Sequence, residues 1–205
     1  MYTGTLVLEQ LAGGRLKALR NAEELLSDAR SLSAEQRWPR VLLLSQIAVE
    51  EAGKYFYLLA SCMMLADGSI KWPRFWKAIR SHSDKTILFL LMEQMLLPGP
   101  GPLRRSQELQ TDARTLDRAK MWALYADYEQ KEFFAPAEVI GESLAKQALD
   151  LAHNRVRLAR EFESTNDWSN TLLNLTPDKV AAMKAILKEE LEAMVRHSEA
   201  DSHDA

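Results

Sequence analysis

Residues 45–59 form an apolar helical stretch that carries Glu50, Glu51 and Lys54 in its middle. On a helix, positions three and four apart share a face, so Ile47, Glu51, Lys54 and Leu58 make one stripe beside Leu44, Ala48, Ala52, Tyr55 and Leu59. That stripe is expected to face the core. A buried charge without a partner costs on the order of several kcal/mol, so any fold must give Glu51 and Lys54 to each other or to polar groups on another helix. Glu50 lies a quarter-turn away with Leu43, Gln46 and Tyr57 and is expected to be half exposed.

The rest of the chain is helical in pattern. Leu11, Leu16, Leu19, Ala22, Leu25, Leu26 and Ala29 recur at helical spacing, with Arg15, Lys17, Arg20, Glu23, Glu24 and Asp28 opposite them, giving an amphipathic first helix. Ser33 followed by Gln36 reads as a capping box opening a second helix over about residues 34–66, with Pro39 early in it and Asp67-Gly68 as its stop. Gly53 inside that helix is expected to allow close approach of a neighbour. Trp72-Pro73 opens a third helix that continues to Met95 and contains Arg80, His82, Asp84 and Lys85, with Arg80 and Asp84 as a surface pair.

The alternating prolines and glycines of residues 98–102 predict a loop. Fourth and fifth helices are expected over residues 116–130, with Lys120 on the polar side, and 138–162, with Ile140, Leu144, Ala148, Leu151, Ala152, Val156 and Ala159 inward. A polar break at 164–170 precedes a last helix over about 176–197, begun by Thr176-Pro177, and a disordered tail over 198–205. With no glycine-rich phosphate loop and no strand alternation, the expected fold is all-α, a bundle of about five to six helices. At 205 residues and 47% hydrophobic content the chain can fill one core, so a single domain over 1–205 is expected.

A net charge of −3 provides no global attraction to nucleic acid and leaves only a local basic patch to bind phosphates. The one cysteine, Cys62, excludes an internal disulfide framework and, among apolar neighbours, reads as a core thiol. The first residues lack a basic region ahead of an apolar run, and the apolar runs are too short and too charged to cross a bilayer, so a cytoplasmic location is expected. A ferritin-like di-metal centre needs paired Glu-x-x-His motifs. Here Ile79, Asp150, Met194 and Ala200 stand three residues before the four histidines, and neither metal nor cofactor is expected.

The ordered set of Asn21-Ala22, Glu50-Glu51-x-x-Lys54, Phe75-Trp76, Ser81-His82-x-x-Lys85 and Leu124-Tyr125-x-Asp127, followed by Pro136, resembles the AbiV family of bacterial abortive-infection proteins over about residues 14–155. The resemblance implies a HEPN-like fold, a phage-defence role that limits phage multiplication, a homodimer, a target among RNA or ribosome-associated molecules, and a phage protein as trigger. It also singles out Glu51, Lys54, His82 and Lys85 as the catalytic set, with Glu50, Arg80, Tyr125 and Asp127 in support. The usual HEPN ribonuclease signature places an arginine four to six residues before the histidine. Here Arg74 stands eight and Arg80 two before His82, so ribonuclease activity stays open.

The chemistry divides accordingly. His82 suits general acid or base work on a ribose hydroxyl, with Lys54 or Lys85 balancing charge on the phosphate and Glu51 orienting His82 or holding Lys54. Alternatively Glu51, Lys54, His82 and Lys85 form a structural network in a non-catalytic protein-binding module. A dimer built on the second and third helices is expected on separate grounds, because Leu42, Leu43, Val49, Tyr57 and Met63 make the second helix apolar nearly all round. Arg74, Lys77 and Arg80 would then line a basic edge.

Overall fold

The computed structural model describes residues 3–96, 106–129, 132–182 and 184–185. The loop expected at 98–102, the tail at 198–205 and most of the last helix lie outside them. The elements in chain order are α1 (Leu8–Ala34), α2 (Trp38–Ala66), α3 (Trp72–Arg80), α4 (His82–Leu96), α5 (Ser106–Leu124), β1 (Asp127–Glu129), β2 (Glu132–Phe134), α6 (Pro136–Val139), α7 (Glu142–Thr165) and α8 (Trp168–Leu173). Residues 177–182 and 184–185 are helical as well. Among the described residues the fold is all-α apart from one antiparallel hairpin that pairs Asp127 with Phe134 and Glu129 with Glu132.

The central element is α2, against which α1, α7, α4 and α5 all pack. Leu42, Leu43 and Val49 are buried within this one chain, the first two in a cluster with Val41, Ala123, Ile140 and Ala145. Tyr57 stacks on Phe75 with ring centroids 5.7 Å apart. The apolar sides of α2 are therefore covered by α5, α6 and α7, and the burial motive for a dimer on α2 is met internally. Each such buried Leu, Val or Phe contributes roughly 1.5–3 kcal/mol of transfer free energy.

On α1 the buried stripe is Leu11, Arg15, Ala18, Leu19, Ala22, Leu26 and Ala29, while Leu16 is exposed. Arg15 thus lies inside, not on the polar face. It pairs with Glu163, which also accepts a hydrogen bond from the Tyr55 hydroxyl at 2.8 Å. Burial and the Glu163 carboxylate push the Tyr55 phenol well above its ordinary range. Cys62 is fully buried, and desolvation raises its thiol to about 11.

Helix ends differ from expectation in several places. Ser33 does not open α2. It lies in the last turn of α1, where the N–H of Gln36 donates to the Ser33 carbonyl at 3.1 Å and that of Arg37 to the Leu32 carbonyl at 3.0 Å. These bonds form a Schellman turn, and Gln36 takes the left-handed conformation (φ 59°) that usually goes to glycine. Gly68, with φ 71°, ends α2 as expected.

The expected third helix is two helices. Ser81 is extended (φ −76°, ψ 124°), and its Oγ accepts the N–H of Asp84 at 3.1 Å, which caps α4. Arg80 and Asp84 therefore sit on separate helices. α5 begins ten residues before Leu116 and stops at Leu124, and the residues beyond it enter the hairpin. The expected fifth helix breaks at Ile140-Gly141, and Leu144 and Leu151 of α7 are exposed, because Ala145, Ala152, Val156 and Ala159 take the inner face. Asp167 caps α8 by accepting from the Asn170 N–H at 3.1 Å, which puts Trp168 and Leu172 in the core where a polar break was expected.

Candidate functional site

Glu50 is the hub. Its side chain, expected half exposed, is buried at 5% exposure because α4 and α5 close over that side of α2. Lys120 of α5 donates to Glu50 Oε1 at 2.6 Å, Nδ1 of His82 lies 2.5 Å from Oε2, and the Lys85 ammonium stands 3.9 Å from Oε2. Lys120 also pairs with Asp117 at 2.8 Å. A carboxylate this deep is tolerable only with such partners, and here three basic groups from two helices meet it.

The break at Ser81 puts His82 and Lys85 on the first turn of α4, on the side facing Glu50. Gly53 lets α4 come close: a Cβ there would lie 2.2 Å from the backbone carbonyl oxygen of Lys85. The close approach expected at this glycine is therefore that of α4. Burial pulls the Lys85 ammonium below its ordinary range, against the opposing pull of Glu50. Burial acts the same way on Lys120, but hydrogen bonds to Asp117 and Glu50 outweigh it, and its pKa is raised.

Glu51 and Lys54 pair with each other one helical turn apart, and both act on Lys85 through charge. It is Glu50, not Glu51, that holds His82. Arg80 is exposed, its guanidinium 5.4 Å from the centroid of the Trp76 ring. Tyr125 and Asp127 are exposed beyond the end of α5, and neither lines the cleft beside His82.

That cleft, about 40 Å³, lies between α2, α4, α5 and α7 and is lined by Ser45, Val49, Glu50, His82, Leu116 and Arg155 among others. His82 forms its rim, with 59% of its side chain exposed. Two buried polar atoms in its lining, Ser45 Oγ and Arg155 Nη1, have no hydrogen-bond partner among the described residues. Arg155 uses its other nitrogens on Glu93, at 3.2 and 3.0 Å. In the tautomer whose Nδ1–H donates to Glu50, His82 keeps a lone pair on Nε2. The arrangement offers a solvent-facing base beside buried donors.

Lys120 and Arg155 were not singled out in the sequence. The signal that could have found them is a cation inside an apolar stripe: Leu109, Ala113, Lys120 and Ala123 on α5, and Ala145, Ala152, Arg155 and Ala159 on α7. Among the described residues, no group of three His, Cys, Asp or Glu is placed to hold a metal ion, and no helix is long and apolar enough to cross a membrane.

The model of the HEPN-class family described as AbiV matches residues 10–157, a span that contains Glu50, His82, Lys85, Lys120 and Arg155. No curated protein and no solved structure matches the chain.

Proposed function

Because the chain belongs to the AbiV family, whose role is abortive infection in defence against phage, we propose that it limits phage multiplication by cutting RNA at the Glu50–His82 cleft. The observation that carries this reading is the buried Glu50 carboxylate on Nδ1 of His82, a side chain that is itself 59% exposed. Nε2 takes the proton of a ribose 2′-hydroxyl as that oxygen bonds to the adjacent phosphorus. The bond from phosphorus to the 5′ oxygen breaks, that oxygen is protonated from the imidazolium or from water, and a 2′,3′-cyclic phosphate remains. Arg155 Nη1 is the donor available for charge developing on the phosphate. Lys54 and Lys85 are less suited to that part, since Lys54 is held by Glu51 and Lys85 stands against the Glu50 carboxylate, whereas Arg155 Nη1 has no partner among the described residues. The homodimer and the phage-made trigger belong to the same proposal.

The test incubates purified protein with end-labelled single-stranded RNA and follows plaque formation on cells expressing the native protein or His82→Ala. Cyclic-phosphate products and protection that both vanish with His82→Ala are expected. Protection by the native protein with RNA left intact in cells and in the tube would remove the reading.

A second reading, a non-catalytic protein-binding module, is favoured by the hairpin, where Tyr128 and Phe133 are exposed with ring centroids 5.0 Å apart and Phe133 is 78% accessible. It requires Tyr128→Ser with Phe133→Ser to abolish protection while His82→Ala retains it.

A further inference from the structure

On the other side of the first turn of α4 lies an open groove of about 920 Å³, lined by α2, α3, α4 and the segment before α3. Lys71 at the N-cap of α3, and Arg74 and Lys77 on the helix, recur every third residue along its wall, the last two about 4.5 Å apart along the helix axis. All three are exposed, and among the described residues none is in an ion pair. Among the described residues the single carboxylate in the lining is Asp84, so this lining is net positive on a chain of net charge −3. Its floor is apolar, with half-buried Tyr57, Ile70 and Leu88 lying over the buried Phe75. Arg74 lies close enough to Tyr57 to act on its hydroxyl through charge.

We infer that this groove binds a single RNA strand, with Lys71, Arg74 and Lys77 on successive phosphates and bases laid toward the Tyr57 side of the floor. The identity of the strand as RNA rests on the function proposed above. The choice of a single strand rests on the groove itself. A row of cations beside an apolar aromatic floor matches an unpaired strand, which presents both phosphates and base faces. A duplex hides its base faces. An anionic membrane is flat and would leave the concave floor uncovered. α4 joins the groove to the catalytic cleft, because Asp84 lines the one and His82 the other. A strand held along α3 therefore runs toward His82.

The experiment measures binding of a fluorescein-labelled twelve-nucleotide RNA by anisotropy, from low salt to about 0.3 M, with cleavage scored separately. Releasing three phosphate contacts on a single strand should lower the slope of log K against log salt by about 2 in the triple variant K71Q/R74Q/K77Q, since each contact contributes about 0.7. Affinity should fall at least about ten-fold at low salt, while a charge-matched variant of exposed cations elsewhere, K17Q/R20Q/R40Q, binds as the native protein does. Circular dichroism melts confirm that each variant folds. An equal loss in the two triple variants, an unchanged slope, or binding to phosphatidylserine vesicles or duplex RNA in preference to the strand overturns the proposal. RNA binding by this groove without any cleavage leaves the groove standing and removes the catalytic reading. Cleavage unaffected by K71Q/R74Q/K77Q does the reverse.

Discussion

The Glu50 carboxylate, buried under α4 and α5, holds Nδ1 of an exposed His82 at 2.5 Å, so one member of the pair belongs to the core and the other to the surface. The asymmetry separates stability from activity. Glu50→Gln leaves Lys120 and Lys85 without their shared counter-charge and should destabilise by about 3–5 kcal/mol. His82→Gln removes little that is buried and should stay within about 1 kcal/mol of the native protein while losing phage protection. Urea melts and plaque counts on both variants check this, and full protection by a folded His82→Gln protein would contradict it.

Lys85 gives a pH dependence of definite sign. Burial lowers its folded pKa below the ordinary 10.5, so the folded state binds the proton less tightly than the unfolded chain and carries a cost while Lys85 is charged. That cost recedes as the pH rises through the folded pKa toward 10.5. The native protein should therefore gain stability relative to Lys85→Met as the pH is raised over this window. Paired denaturant melts at a series of alkaline pH values read the difference, and a trend in the opposite direction would show that attraction to Glu50 dominates burial.

Gly53→Ala tests the contact that brings α4 to Glu50. Alanine is the better helix former by about 1 kcal/mol, yet its Cβ would meet the Lys85 carbonyl oxygen at 2.2 Å, and backbone cannot swing aside as a side-chain tip can. A net loss of about 1–3 kcal/mol is expected, with α4 displaced and protection reduced. A stabilised variant would mean that α4 stands farther from α2.

Gln36→Gly should move stability the other way. A side chain at φ 59° costs about 1–2 kcal/mol, part of which glycine returns through the freedom it adds to the unfolded chain. A net gain of about 0.5–1 kcal/mol is expected in thermal melts, with protection unchanged.

What local periodicity determines is visible in α1 and α2. Apolar spacing located both helices, Asp67-Gly68 ended the second, and the Glu51–Lys54 pair followed from positions three apart on one element. The ordered motifs were enough to identify the family. The break between α3 and α4 was legible in principle, because Ser81 followed by Asp84 has the spacing of a helix start, but apolar residues at helical spacing lie on both sides of the polar run 80–86, so the two pieces read as one helix. The hub of the site was a different matter. On α2 alone Glu50 is a half-exposed carboxylate, and it becomes buried only when Lys120, seventy residues away, closes over it from α5. Arg155 reaches the same cleft from α7. A helix repeat specifies which residues share a face, but the helix that covers that face, and hence which charges must pair, is decided by packing between elements distant in the chain.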